Sequence, residues 1–226
     1  MTAPPPGTGR ALAVIAKRPV PGQVKTRLAP AFGPVGAARA AAAMLADTLA
    51  TVRAVEADRW LCFAPARARA AMAALAPGFG LLAQPGGGLG ARLAACLDGL
   101  LAQPGAGRAA IVGADTPHLP PATCAAAFAL LDEVDVVLGP ALDGGYYLVA
   151  AKAPAPALFA GVRMGTAAVL AATLERAEAA GLTVGLLPAL RDLDTPDDLA
   201  AALAAGELAA SPETSAVAAE LLGATW

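Results

Sequence analysis

The segment ALAVIAKRPVPGQVKTRL, residues 11–28, has the pattern that decides the fold class. An apolar run from Ala11 to Ala16 gives way to prolines, a glycine and four cations, and a helical pattern follows. This order predicts a strand, a loop and the start of a helix. In an open α/β sheet, ligands bind outside the carboxyl ends of strands, and free N–H groups at a helix start favour anions. The segment therefore predicts a polyphosphate site.

The composition limits the classes of protein that this chain can represent. Its 226 residues are enough for one α/β domain with a sizeable core. The net charge of −2 argues against nucleic acid as the main partner. No long apolar run lacks charge or proline, so we predict no membrane-spanning helix and no membrane partner. Residues 1–10 have no apolar centre and are predicted to be a disordered leader rather than a signal peptide, which makes a cytoplasmic location the expectation.

Cysteine, histidine and serine are too few for several kinds of active site. The three cysteines are far apart without a CxxC pair, which argues against a disulfide scaffold and a zinc site. His118 is the only histidine, and both serines lie near the C terminus, which disfavours a Ser-His-Asp hydrolase and excludes a multi-histidine metal site. Asp, Arg and Lys remain at predicted loops. They suit a hard cation with oxygen ligands and a phosphate substrate.

Short apolar runs alternate with longer alanine-rich helical patterns. The predicted strands are 11–16, 60–64, 80–83, 109–113, 134–139, 146–150 and 182–187. The predicted helices are 35–55, 67–75, 89–102, 121–131, 166–180 and 196–205, with a last helix from Pro212 to near Gly223. This alternation predicts βαβ units and a mainly parallel sheet with helices on both faces. The strand at 146–150 follows its predecessor so closely that the pair is predicted to be antiparallel.

The cationic loop after the first strand is the first predicted site element. Lys25 and Arg27 are placed at the helix start, where they would bind phosphate oxygens. Lys17 is a further phosphate ligand, and Gly22 lets the backbone approach the ligand. The alternative is a solvated basic loop. Cations at a helix start oppose the helix dipole, so they call for an anionic partner.

Aspartates after later strands are the predicted metal ligands. Asp115 follows the apolar run 109–113 directly, and a carboxylate that faces a phosphate there needs a cation between them, with Mg²⁺ or Mn²⁺ the natural choice. Asp192 and Asp194 would point the same way in an extended segment, so either could complete the site. The alternative for Asp115 is a capping role in the turn before Thr116-Pro117.

Two glycine-rich loops have both structural and functional interpretations. The loop containing Asp143, Gly144 and Gly145 is a hairpin signal, yet Tyr146 follows it and the glycines permit close approach of a ligand. The loop 84–92 has a G-x-G-x-x-A pattern but lies outside the first βα unit and has no acid about 20 residues on, which excludes a dinucleotide site. Its Gly90 and Arg92 could still contact a nucleotide's base or ribose.

Five motifs in order resemble a known family. They are K-x-P-x-P-G-x-V-K-T-R-L, Q-x-G-x-x-L-G-x-R-L, G-x-D-x-P-x-L-P, G-P-x-x-D-G-G-Y-Y-L and D-x-D-T-P-x-D-L. Together they resemble a bacterial GT-A-like family, long labelled as a domain of unknown function and often named glycosyltransferases. The chain is more distantly similar to 2-phospholactate and molybdenum-cofactor guanylyltransferases. The resemblance covers about residues 11–206, and residues 207–226 are predicted to be a C-terminal helical extension.

The resemblance implies a three-layer α/β/α GT-A fold that binds a nucleotide. It also implies phosphate-binding roles for Lys25 and Arg27, metal ligation by Asp115 and Asp194 with Asp192 as an additional candidate ligand, and an acceptor pocket beside Asp143, Gly144 and Gly145. The chain departs from the family pattern in three places. Gly88 replaces a common Asp, Met164 a common Trp, and Gly165 a usual Ser.

The fold and the motifs leave three functions open. The first is metal-dependent glycosyl transfer from a nucleotide-diphosphate sugar to a small acceptor. The second is nucleotidyl transfer from an NTP to a small phosphate or carboxylate acceptor with release of pyrophosphate, and the four cations suit that leaving group. The third is a nucleotide-binding module without catalysis. In either enzyme Lys25 and Arg27 would neutralise the leaving group, and Asp143 is the nearest base. Alanine-rich helix faces could form a homodimer interface.

Overall fold

The computed structural model describes residues 8–223, which form seven strands and seven α-helices. The strands are β1 (Arg10–Lys17), β2 (Asp58–Ala64), β3 (Gly80–Ala83), β4 (Arg108–Gly113), β5 (Val136–Pro140), β6 (Tyr146–Ala151) and β7 (Val184–Leu186). The helices are α1 (Ala29–Arg53), α2 (Arg69–Leu75), α3 (Leu89–Leu101), α4 (Pro121–Leu130), α5 (Val169–Ala179), α6 (Pro196–Ala204) and α7 (Pro212–Gly223). Most of the predicted leader lies outside the described residues, and Arg10 already belongs to β1.

All seven strands form one mostly parallel sheet in the order β3-β2-β1-β4-β6-β5-β7. Only β6 runs antiparallel, and it lies between β4 and β5. The predicted antiparallel pairing of β5 and β6 is therefore confirmed. Six strands consequently end at the same edge of the sheet, and β6 begins there. The loops that carry the predicted site residues all leave from this edge.

Helices cover both faces of the sheet, which gives the predicted three-layer architecture. Alternate residues of β1 point to opposite faces, with Leu12 and Val14 on one side and Ala11 and Ala13 on the other. The first face packs against α1, α2 and α4, and the second against α3 and α5. A third apolar cluster joins the outer side of α1 to α6 and α7. The sheet core thus holds the strand ends in a fixed arrangement beneath the site.

Helix α1 begins earlier than the sequence pattern predicts. The predicted start at Val35 coincides with a break in the helix, because Gly33 has φ 68° and ψ 165° and Pro34 follows it. One extra turn, from Ala29, precedes this break. Among the described helices, α1 alone has the length and apolar composition of a membrane span, and 61% of that window is buried inside the protein. A core helix meets the same criterion, and α1 packs against β1 and α7.

Candidate active site

A cleft of about 710 Å³ opens at the shared edge of the sheet. It brings together most of the residues that the sequence predicts for the site. Those lining it are Lys17, Lys25, Arg27, Arg92, Asp115, Asp143, Gly145, Tyr146, Asp192 and Asp194. Cations from the β1–α1 loop thus share one cleft with carboxylates that follow β4 and precede α6. An anionic ligand with a bound cation would find both kinds of partner here.

Lys25 lies between the two aspartates that the sequence predicts as metal ligands. Its Nζ is 2.5 Å from Asp115 Oδ1 and 2.7 Å from Asp194 Oδ1, and it donates a 2.9 Å hydrogen bond to the Leu193 carbonyl. Only 7% of the side chain is exposed. Burial acts to lower the pKa of Lys25, but the charges of Asp115 and Asp194 outweigh it, so the pKa lies above its usual value. Lys25 is therefore a charged, buried link between two loops and not a side chain held at the helix start.

Backbone contacts fix the two aspartates relative to each other. The Leu193 N–H donates to the Asp115 carbonyl at 2.8 Å, which ties the segment before α6 to the loop after β4. Thr195 caps α6, with its hydroxyl accepting from the Asp198 N–H and the Asp198 side chain accepting from the Thr195 N–H. This reciprocal cap ends the extended segment immediately after Asp194. The position of Asp194 thus follows from a local cap and one long-range backbone bond.

The donor set around Lys25 fits a hard cation that is shared with a ligand. Asp115 Oδ1, Asp194 Oδ1 and the Leu193 carbonyl are all oxygen donors around one point. Within residues 8–223, no group of three or more His, Cys, Asp and Glu side chains is arranged to hold a metal by itself. Mg²⁺ is ordinarily bound by one or two carboxylates together with substrate phosphates and water. These oxygens therefore suit a divalent cation whose remaining ligands come from a bound phosphate. In this structure the Lys25 ammonium lies at the position between them.

Asp192 reaches the same cleft but has a different environment. Its Oδ1 accepts a 2.5 Å hydrogen bond from the Thr116 hydroxyl. Burial raises the pKa of Asp192 to about 6, the Thr116 bond opposes that rise, and the nearby carboxylates of Asp115, Asp143 and Asp194 add to it. The four carboxylates thus interact in one cleft.

The loop between β5 and β6 forms another wall of the cleft. Asp143 Oδ1 accepts a 2.8 Å hydrogen bond from the Gly145 N–H, which holds the turn. Gly144 has φ 90°, and a Cβ there would lie 2.1 Å from the Ala167 carbonyl oxygen. Burial raises the pKa of Tyr146 to about 12, so its hydroxyl stays protonated. The hairpin interpretation of this loop and its place beside the cleft are both observed.

Three glycines among the predicted site residues do not line the main cleft. Gly22 has φ 76° and shapes the β1–α1 loop. Gly90 is buried in α3, where a Cβ would lie 3.1 Å from Met164 Cε and 3.3 Å from the Phe159 carbonyl oxygen. Gly144 packs against Ala167. Gly90 and Gly144 thus pack closely against other parts of the protein, whereas a Cβ at Gly22 would meet open space.

Gln84 and Thr116 support the site through hydrogen bonds that the sequence analysis did not predict. Gln84 Nε2 donates to the carbonyls of Ala16 and Cys62, at 3.0 and 2.8 Å, and so joins the ends of β1 and β2. Thr116 holds Asp192. Each is a polar residue just past the carboxyl end of a strand. That position in the sequence is the feature from which their place beside the site could have been predicted.

The comparisons with known proteins place the chain in a family. The family profile described as "Uncharacterized protein conserved in bacteria (DUF2064)" matches residues 45–166. The chain belongs to this family. No curated protein matches it. A crystal structure from Desulfovibrio desulfuricans G20, described as a "putative nucleotide-diphospho-sugar transferase", is 31% identical; the match covers 96% of this chain and 98% of that one, with a TM-score of 0.88.

More distant structures share the fold of this DUF2064 protein. A CMP:2-keto-3-deoxy-manno-octonic acid synthetase complexed with CTP is 15% identical over 88% of this chain and 99% of that one, with a TM-score of 0.56. Glucosyl-3-phosphoglycerate synthase from Mycobacterium tuberculosis, in complex with Mn²⁺, UDP and glucosyl-3-phosphoglycerate, is 11% identical over 95% and 80%, with a TM-score of 0.51. The predicted nucleotide-diphospho-sugar transferase fold is therefore confirmed.

Proposed function

We propose that this DUF2064 protein is a divalent-cation-dependent transferase that moves a glycosyl group from a nucleotide-diphosphate sugar to a small acceptor. The observation that carries the proposal is the cleft itself, where Lys17, Lys25 and Arg27 face the carboxylates of Asp115 and Asp194. The description of the Desulfovibrio relative agrees with it. The fold neighbours complexed with CTP, or with UDP and Mn²⁺, bind the same classes of ligand in their own structures.

The residues of the cleft divide into a donor side and an acceptor side. Lys17 and Arg27 are exposed cations that would bind the donor's diphosphate and neutralise charge as it leaves. Arg92 Nε donates a 2.9 Å hydrogen bond to the Gly87 carbonyl, which holds the guanidinium beside the glycine-rich loop. When bound to Asp115 and Asp194, Mg²⁺ or Mn²⁺ would supply additional charge stabilisation for the diphosphate.

On the acceptor side, Asp143 is the group best placed to take a proton from an attacking hydroxyl. It lines the cleft, and one of its oxygens is held by the Gly145 N–H, which orients the carboxylate. The acceptor would approach between the β5–β6 loop and the donor's sugar.

Nucleotidyl transfer is the second candidate, and the density of cations favours it. Of the four cations from Lys17 to Arg27, three line the cleft, namely Lys17, Lys25 and Arg27, and they would neutralise the charge of a departing pyrophosphate. In that reaction an acceptor phosphate or carboxylate would attack the α-phosphorus of an NTP. Positioning and charge neutralisation would then account for most of the catalysis.

Product analysis separates these functions. Purified protein with Mg²⁺ or Mn²⁺ is incubated with UDP-, GDP- and ADP-sugars, and separately with the four NTPs, each with a panel of small phosphorylated and hydroxylated acceptors. Release of nucleoside diphosphate supports glycosyl transfer, and release of pyrophosphate supports nucleotidyl transfer. Nucleotide binding without either product would identify a non-catalytic module. A donor at about 100 times its Kd should stabilise the fold by about 2.7 kcal/mol in a thermal-shift screen, which selects the nucleotides to test.

The matched variants are Asp115→Asn and Asp132→Asn. Asp115 lines the cleft beyond the carboxyl end of β4, whereas Asp132 pairs with Arg108 at the first residue of that strand. Asp115→Asn should abolish the cation dependence of nucleotide binding, and Asp132→Asn should retain it. If nucleotide binding depended equally on the cation in both variants, Asp115 would not be a ligand of the proposed metal.

A further inference from the structure

Lys25 occupies the cation position of the cleft with all of its hydrogen-bonding capacity used. Its ammonium has three donors, and three oxygens surround it, from Asp115, Asp194 and Leu193, at 2.5 to 2.9 Å. The side chain is 7% exposed, whereas Asp115 is 52% and Asp194 34% exposed. The two carboxylates can thus be reached from the cleft although the lysine between them is covered.

A divalent cation bound by both Asp115 Oδ1 and Asp194 Oδ1 would need the place where Nζ lies. Cation–oxygen distances are about 2.0–2.1 Å for Mg²⁺ and about 2.3–2.6 Å for Ca²⁺, which is shorter than or similar to the 2.5 and 2.7 Å that the ammonium makes. Two cations at one position exclude each other through both volume and charge. Asp194 also lies 3.5 Å from Arg27 Nη1, but Arg27 is 62% exposed and does not fill the space between the carboxylates.

The backbone at Lys25 is held in an unusual conformation. Its φ is 45°, and Lys25 is the only non-glycine residue with positive φ in the described part of the chain. Such strain persists only where surrounding contacts impose it. Here the contacts are those of the ammonium and a 2.9 Å hydrogen bond from the Leu28 N–H to the Lys25 carbonyl. Because Lys25 lies in the loop between β1 and α1, its ammonium contacts can break without loss of any sheet hydrogen bond.

We propose that Lys25 is an exchangeable internal cation, which holds Asp115 and Asp194 together when no metal is bound and yields its position to a divalent metal when the donor's diphosphate draws the ammonium away. The proposal rests on the proposed function for the identity of the diphosphate ligand. It makes donor and metal binding mutually dependent, since each favours the conformation in which Lys25 has left the carboxylates. Metal affinity without donor is then reduced by the small fraction of molecules in that conformation.

Mn²⁺ binding without nucleotide tests the exchange directly. Free Mn²⁺ is measured by electron paramagnetic resonance in titrations of the wild type, Lys25→Met and Arg27→Met. Both variants remove one positive charge beside Asp194, but only Lys25→Met vacates the position between the carboxylates. Lys25→Met should bind Mn²⁺ more than about tenfold more tightly than the wild type, and Arg27→Met should change little because exposed ion pairs contribute little. The gain should disappear in Lys25→Met/Asp115→Asn.

A second measurement uses the wild-type protein and remains decisive if Lys25→Met does not fold. Trace acetylation followed by mass spectrometry compares the three lysines, Lys17, Lys25 and Lys152, with and without saturating Mn²⁺. Metal binding should raise the reactivity of Lys25 several-fold, while Lys152, which pairs with Asp135, serves as the reference. A gain in Lys25→Met no larger than in Arg27→Met, or Lys25 unchanged by saturating Mn²⁺, would overturn the exchange.

Turnover measured in parallel keeps this inference separate from the proposed function. If the wild type turns over but Lys25→Met gains no Mn²⁺ affinity, the exchange of Lys25 for a metal is wrong and the transferase activity stands. If Lys25→Met gains Mn²⁺ affinity but the wild type shows no turnover with any donor and acceptor, the exchange stands and the transferase activity is wrong.

Discussion

Thr116 donates a 2.5 Å hydrogen bond to Asp192, a residue 76 positions further along the chain. Thr116 is 1% exposed, and it follows β4 by three residues in the loop that also carries Asp115. The bond therefore joins the loop after β4 to the segment before α6, alongside the Leu193–Asp115 backbone bond. These two bonds bring the predicted metal ligands into one cleft.

Replacing Thr116 by Val should weaken this junction. Valine has the shape of threonine but no hydroxyl, so the half-buried Asp192 carboxylate would lose its donor at a cost of about 1–3 kcal/mol. Urea unfolding monitored by circular dichroism measures the change. Thr116→Ser keeps the hydroxyl and should recover most of the loss. A loss in Thr116→Ser with none in Thr116→Val would show that the methyl group, and not the hydrogen bond, is what stabilises the loop.

Arg27 and Arg18 offer a matched pair for the donor side of the cleft. Both are exposed arginines of the same loop, but only Arg27 lines the cleft. Arg27→Gln should raise the donor Kd by about tenfold or more, since a hydrogen bond to a charged group contributes about 1.5–3 kcal/mol. Arg18→Gln should change it much less. Isothermal titration calorimetry with the donor identified by product analysis gives both values, and a larger effect at Arg18 would contradict the assignment.

Gly144 should be more sensitive to substitution than a glycine with similar backbone strain and free space. Gly144 and Gly181 both have positive φ. A Cβ at Gly144 would lie 2.1 Å from the Ala167 carbonyl oxygen, whereas a Cβ at Gly181 would have no described atom within 4 Å apart from those of its two chain neighbours. Left-handed backbone costs a non-glycine residue about 1–2 kcal/mol, and Gly144→Ala adds the clash to that cost. We expect a larger loss of unfolding free energy for Gly144→Ala than for Gly181→Ala in urea titrations. Similar losses would mean that the 166–168 segment moves freely.

Asp135 should contribute a pH-dependent part of the stability far from the cleft. Hydrogen bonds from the Thr183 side chain and backbone, with a contribution from Lys152, lower the pKa of Asp135 to about 2. Because the folded pKa lies below the unfolded value of about 3.9, the stabilisation is present above the unfolded pKa and is lost as the pH falls through the folded pKa. Asp135→Asn should therefore lower the melting temperature at pH 7, and the difference from wild type should shrink between pH 4 and pH 2. A difference that is constant with pH would exclude the charged form as its cause.

The strands and helices were predictable because their signals are local. β1 alternates between two core clusters, Thr195-Pro196 starts α6 with a side-chain cap, and β5 and β6 are joined by a short glycine-rich turn. Each of these patterns depends on a few neighbouring residues. The predicted helix start at Val35 missed the extra turn from Ala29, because that turn packs Leu28 and Phe32 against residues of α6 and α7 that are distant in the sequence.

The residue types at the sheet edge were also predictable, because strands in a parallel sheet place their following loops together. Lys17, Lys25, Arg27 and Asp115 could therefore be assigned to this edge from the order of the elements, whereas Asp194 was preferred to Asp192 only through the family resemblance. Gln84 and Thr116 were missed because their partners are a backbone carbonyl and a carboxylate on other strands or loops.

The sequence by itself determined the α/β layers, the edge at which a ligand would bind and the charged residues gathered there. These follow from hydrophobic periodicity and from the alternation of strands and helices along the chain. Only the tertiary structure decided that Lys25 contacts Asp194, 169 residues away, and occupies the position expected for a metal. Whether a cation faces solvent, a phosphate or a carboxylate depends on which loops meet and how much water they exclude. That balance of burial against charge is set by the whole fold, and local sequence does not encode it.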